Sequence, residues 1–135
     1  MKNVRKIKFN INSDEYGQLV PIEQTRDIPF EIKRVYYIYD VEENVRRGFH
    51  AHEVLKQVLI CLGGSVKILV KTPDETQVVT LSDPSEGLFI GPMVWREMFD
   101  FEPNTTLLVL ADAYYDENEY IRDYSVYSEQ WKQKP

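Results

Sequence analysis

The chain has 135 residues, enough to bury one hydrophobic core but not two, so a single domain over residues 1–135 is expected. Its make-up, 43% hydrophobic and 28% charged, is that of an ordinary globular protein, and a net charge of −6 offers no positive field to steer a nucleic acid or an anionic membrane. The single cysteine, Cys61, excludes an intrachain disulfide and a thiolate metal cluster. The opening "MKNVRKIKFNI" is basic but leads into no apolar run of the kind a secretory signal carries, and no stretch reaches the length of a membrane span. A cytoplasmic location is the expectation. "KRVYYIYDV" (33–41), β-branched and aromatic, reads as a strand. "QVLICL" (57–62) reads as a short buried strand, with Gly63-Gly64 marking a hairpin into "SVKILVK". "TPDET" turns the chain into "QVVTL", and "DPSEG" (83–87) turns it again into "LFIGP", "VWREMFDF" and "TTLLVLA". Short strands at this spacing predict an all-β sandwich or barrel up to about residue 112. The remainder, "YYDENEYIRDYSVYSEQWKQKP", is expected to be a short helical or irregular tail whose tyrosines are packing groups.

The segment "RGFHAH" (47–52) holds both histidines of the chain. On a strand, side chains alternate, so His50 and His52 share one face at roughly 7 Å along the chain, with Phe49 and Ala51 on the other. Two imidazoles on one face point to a site rather than to structure. The order Gly48, His50, His52, Gln57, Gly63, followed by "GLFIGPMVWRE" with Pro92 and Arg96, resembles the two motifs of the cupin barrels. Metal-binding cupins ligate through two histidines, a glutamate and a later histidine. Glutamine at 57 is a poor ligand, and Arg96 only donates hydrogen bonds and repels a cation. No metal or other cofactor is expected, and proton transfer near pH 7 is the next use for the pair.

With these residues in view, the chain resembles the metal-independent cupin sugar 3,4-ketoisomerases that act on dTDP-4-keto-6-deoxy-glucose, relatives of the dTDP-4-keto-rhamnose epimerases. The resemblance is carried in order by "FEIKRVYYIYDV" (30–41), "RGFHAH" (47–52), "QVLICLGGSV" (57–66), "GLFIGPMVW" (87–95) and "YYDENEYIRDY" (114–124). It implies a jelly-roll-like antiparallel barrel, a homodimer whose exchange of strands is left open, and a dTDP-linked keto-deoxy sugar as substrate. The implied reaction moves the ketone from C4 to C3 through an enediol, supplying deoxyamino sugars for surface glycans. It also makes His50 the base. The chemistry then gives His52 a role at the O3/O4 edge, and Tyr37 or Arg96 the stabilisation of the enediolate. Arg47 suits the pyrophosphate, with Arg34 and Arg122 as weaker candidates and Gln57 as a further substrate contact.

Two positions depart from the family pattern. Where it reads D-x-R-G and W-H-E, this chain reads "DEYG" (14–17) and "WRE" (95–97), which places Tyr16 and Arg96 at the exchanged positions. Arginine is no acid at neutral pH, so C4 takes its proton from another donor, Tyr16 or an imidazole. The expectation is the gluco-configured 3-keto product. A keto-sugar-nucleotide 3,5-epimerase and a non-catalytic sugar-nucleotide-binding barrel are the alternatives, with a metal-dependent oxygenase last.

Overall fold

The computed structural model of the chain describes residues 1–133. Twelve strands and one α-helix follow in order, with a 3-10 turn at Glu117–Glu119: β1 (Val4–Lys8), β2 (Asn12–Asp14), β3 (Gly17–Leu19), β4 (Arg34–Tyr39), β5 (Arg47–His52), β6 (Gln57–Gly63), β7 (Val66–Lys71), β8 (Thr76–Leu81), β9 (Glu86–Ile90), β10 (Trp95–Phe99), β11 (Thr106–Ala111), β12 (Tyr120–Ile121) and α1 (Tyr124–Gln133). One five-stranded sheet has the order β1-β9-β6-β11-β4 and the other β12-β5-β10-β7-β8, while β2 and β3 pair only with each other. The ladders within them are antiparallel. This is the jelly-roll barrel of the cupins, as the motifs implied.

The core lies between the sheets. Leu59, Cys61, Leu88, Ile90, Leu107 and Val109 from the first sheet meet Val66, Ile68, Val70, Leu81 and Met98 from the second. Strand β6 is buried on both faces because Val58 and Ile60 turn outward beneath Ile28 and Phe30 of the long β3–β4 connection. That explains why it reads as a continuous apolar run rather than an alternation. The second sheet is covered by α1, which Asp123 starts by accepting hydrogen bonds from the backbone N–H groups of Ser125 and Val126. Tyr127 then packs on Trp95, Ala51 and Met93, with its hydroxyl 2.9 Å from the Met93 carbonyl.

One expectation is corrected here. Gly63-Gly64 does not close a hairpin, since β6 and β7 belong to different sheets and the chain crosses the barrel between them. Gly64 has φ +77°, and a Cβ there would meet Thr105 Oγ1 at 2.2 Å. The glycine serves a close crossing over Thr105, whose hydroxyl accepts from the Ser65 N–H and donates to the Glu102 carbonyl at 2.7 Å.

Candidate active site

Strand β5 is not a regular strand where the histidines lie. Gly48 has φ +94° and Phe49 φ +57°, and the pairing with β10 shifts register between Arg96 and Glu97. This bulge re-aims the end of the strand. His50 and His52 come together inside the barrel with ring centroids 4.8 Å apart, edge to face, closer than the pleat alone predicts. Ala51 packs on the opposite side under α1, and Phe49 faces solvent. Gly48 is held to glycine by its neighbours, because a Cβ would stand 2.9 Å from the Arg96 carbonyl and 3.2 Å from Glu97 Cα. Gly48→Ala is expected to cost about 2 kcal/mol or more of stability, read from a urea melt, because it adds positive-φ strain to a backbone clash.

Behind the histidines lies a buried polar relay. Arg96, 1% exposed, donates from Nη1 to Gln57 Oε1 at 2.6 Å and from Nη2 to the Val94 carbonyl at 3.0 Å. Gln57 in turn donates from Nε2 to Tyr36 Oη at 3.1 Å. Among the described residues Arg96 makes no salt bridge. Burial lowers its pKa to about 10, which leaves it cationic at neutral pH. Burial first and the Arg96 charge second hold His50 down to about 3 and His52 down to about 2. Both imidazoles are therefore neutral at pH 7. Nδ1 of His50 and both ring nitrogens of His52 are buried with no hydrogen-bond partner among the described residues.

In front of His50 is a cavity of about 660 Å³, a size that suits a small organic ligand. Arg34, Arg46, Arg47 and Arg122 line it with Tyr36, Tyr115, Tyr120, His50 and a few apolar groups, and no carboxylate is among the lining residues. Tyr120 comes from β12, which pairs with β5 so that Tyr120 stands opposite His52. Its ring centroid is 4.9 Å from that of His50 and 4.4 Å from that of His52, and the Arg122 guanidinium lies 4.4 Å from the same centroid. Arg122 is also paired with Glu117, and Arg46 with Glu97 at 2.7 Å. Arg34 presents a buried Nε with no partner. The whole is a neutral base facing an anion-attracting cavity.

Of the residues singled out by sequence, His50, Arg34, Arg47 and Arg122 line the cavity, and His52, Arg96 and Gln57 are buried in its wall. Gln57 does not face the cavity, because both ends of its amide are used by Arg96 and Tyr36. Tyr37 lies outside the barrel, since alternation along β4 turns Tyr36 inward and leaves Tyr37 62% exposed. Tyr16 stands at the tip of the β2–β3 hairpin, 89% exposed and away from the cavity of its own chain. Tyr36, Tyr115, Tyr120 and Arg46 were missed. For Tyr36 the signal was the parity of β4 against its neighbours, and for Tyr120 the "YYDENEYIRDY" segment that carried the family resemblance. Tyr115 and Tyr120 of that segment line the cavity, where composition alone suggests packing groups. Two histidines with an amide and a guanidinium do not fit a divalent metal, and no group of three or more His, Cys, Asp or Glu among the described residues is placed to hold one.

A cupin barrel with paired neutral imidazoles beside an arginine-rich cavity defines the class, a barrel built for proton transfer on an anionic small molecule. Residues 2–132 match the family described as "FdtA: WxcM-like, C-terminal", and the chain belongs to that family. It is 49% identical over 118 residues, 87% of this chain and 85% of the relative, to the TDP-4-oxo-6-deoxy-alpha-D-glucose-3,4-oxoisomerase of Aneurinibacillus thermoaerophilus. Among solved structures it is similar to a histidine-to-asparagine mutant of the 3,4-ketoisomerase QdtA from Thermoanaerobacterium thermosaccharolyticum in complex with TDP-4-keto-6-deoxyglucose, with TM-score 0.97 and 56% identity over 99% of this chain and 97% of that one. A double mutant of QdtA, tyrosine to arginine and arginine to histidine, in complex with TDP matches with TM-score 0.97 and 56% identity over 98% and 96% of the two chains.

Proposed function

We propose that the chain is a metal-independent sugar-nucleotide 3,4-ketoisomerase, a single-domain cytoplasmic enzyme that moves the ketone of dTDP-4-keto-6-deoxy-D-glucose from C4 to C3. The observation that carries this is His50, a neutral imidazole lining a cavity that four arginines and no carboxylate also line. Relatives at 49% and 56% identity bear the name of this reaction, which disfavours the 3,5-epimerase and the non-catalytic reading.

In this reading His50 takes the proton from C3. The electrons of the C3–H bond form the C3=C4 bond, and O4 becomes negative and is protonated. The O3 hydroxyl then gives up its proton as C3=O3 forms, and C4 receives a proton. His52, whose ring nitrogens both lack a hydrogen-bond partner among the described residues, passes the hydroxyl proton along the O3/O4 edge. Arg96 keeps the surroundings positive while the enediolate carries charge. Arg47, Arg34 and Arg122 bind the pyrophosphate, an anion that guanidinium groups grip with paired N–H donors.

Tyr16 acts in this scheme from a second copy of the chain. Among the described residues its hairpin pairs with no other strand, and the outward face of edge strand β4 exposes Val35, Tyr37 and Tyr39. Both features suit a homodimer in which the hairpin crosses to the partner's cavity mouth. From there the Tyr16 hydroxyl delivers the C4 proton on the face that gives the gluco product. QdtA carries the same two exchanges of residue type in its double mutant. Tyr16→Arg combined with Arg96→His is expected to invert C4 to the galacto configuration, seen in the proton couplings of the product. An unchanged C4 configuration would leave neither residue a part in setting the C4 face.

A further inference from the structure

The relay behind the histidines has a direction, and the direction is forced. Arginine has no acceptor, so the end of Gln57 that meets Arg96 at 2.6 Å must be the carbonyl oxygen, Oε1. The other end is then the amide nitrogen, which only donates, and it stands 3.1 Å from Tyr36 Oη. Tyr36 Oη is therefore an acceptor toward Gln57, and its own single proton points elsewhere. No hydrogen bond donated by Tyr36 is found among the described residues, and Arg34, whose guanidinium lies 5.3 Å from its ring centroid, cannot accept one. Tyr36 lines the cavity. Burial raises its pKa above the usual phenol value, so the proton is present at neutral pH.

We infer that Gln57 is a positioning residue that locks Tyr36 as a hydrogen-bond donor into the cavity, aimed at the sugar oxygen on which negative charge develops. The inference rests on the ketoisomerase reading and supplies its oxyanion donor. It also gives glutamine a reason at a position where metal-binding cupins carry glutamate. A carboxylate there would accept from Arg96 and from Tyr36 alike. It would turn the Tyr36 proton away from the substrate while leaving the size of the side chain unchanged.

Gln57→Glu is thus the discriminating variant, because a merely structural role predicts little harm from a carboxylate facing Arg96. Loss of one such donor costs about 10²-fold in kcat. We expect Gln57→Glu and Tyr36→Phe each to lower kcat by about 10²-fold with little change in KM or in dTDP affinity by calorimetry. The double variant should fall well short of the product of the two single losses, because both changes remove the same hydrogen bond, although the carboxylate also offsets part of the Arg96 charge. Wild-type kcat in Gln57→Glu, or losses that multiply in the double variant, would overturn the relay. Should Gln57→Glu fail to fold, Tyr36→Phe decides alone: wild-type kcat in that variant removes the donor. Turnover by the wild type measures the ketoisomerase reading, and the ratio of variant to wild type measures the relay, so the two fail separately.

Discussion

The His50→Asn variant is expected to bind dTDP as the wild type does and to exchange the C3 proton of the keto sugar about 10³-fold more slowly, a loss in the range general-base catalysis supplies. The argument is one of position and charge. His50 is the one imidazole that lines the cavity, and it is neutral because burial and Arg96 both disfavour its protonated form. Asparagine keeps a polar group of similar reach at the position but offers no basic nitrogen. His52 sits 4.8 Å away, centroid to centroid, and keeps its place opposite Tyr120, so it is not free to take over. Deuterium exchange at C3, followed by proton NMR, checks this. Exchange near the wild-type rate would assign the base elsewhere.

The second large effect is on stability in mild acid. The histidine pKa values lie far below the unfolded value of about 6.5, at about 3 for His50 and about 2 for His52. Between those values and 6.5 the unfolded chain binds two protons that the folded chain excludes. Stability is therefore full above pH 6.5 and falls as pH drops through the window, by about 1.4 kcal/mol per pH unit for each histidine. At pH 5 the protein should be about 4 kcal/mol less stable than at pH 8, before the exposed carboxylates contribute much. Urea melts at the two pH values measure the difference. The double variant His50→Asn/His52→Asn should flatten most of it. An equal pH dependence in wild type and double variant would show that the imidazoles are not excluded from protonation.

The strands of the barrel were legible because their apolar content is high and the turns between them carry Pro, Gly and Asp. Pairing was less so. Gly63-Gly64 has the residues of a hairpin, yet Thr105 from a distant connection takes the turn and sends the next strand into the other sheet. Strand β4 hides which of its tyrosines faces inward. Both faces of "RVYYIY" are apolar or aromatic, so composition gives no inside, and only the register with β11 settles it. The "HAH" pair was readable from alternation, but its close approach came from the bulge at Gly48 and Phe49, which rests on the shift against β10. Tyr120 reaches the histidines through a two-residue strand too short to leave a pattern. Arg96 was visible as an unsuitable ligand, although its bond to Gln57 across the barrel was not.

The central claim is that this site moves a ketone between adjacent sugar carbons by proton transfer through His50. The most direct test incubates the protein with dTDP-4-keto-6-deoxy-D-glucose in D2O and follows the sugar by proton NMR. The account predicts loss of the C3 proton signal, deuterium at C4, and a ketone at C3 with the gluco configuration at C4. A sugar that keeps its C4 ketone, with C3 or C5 inverted or with nothing changed over hours, would contradict it.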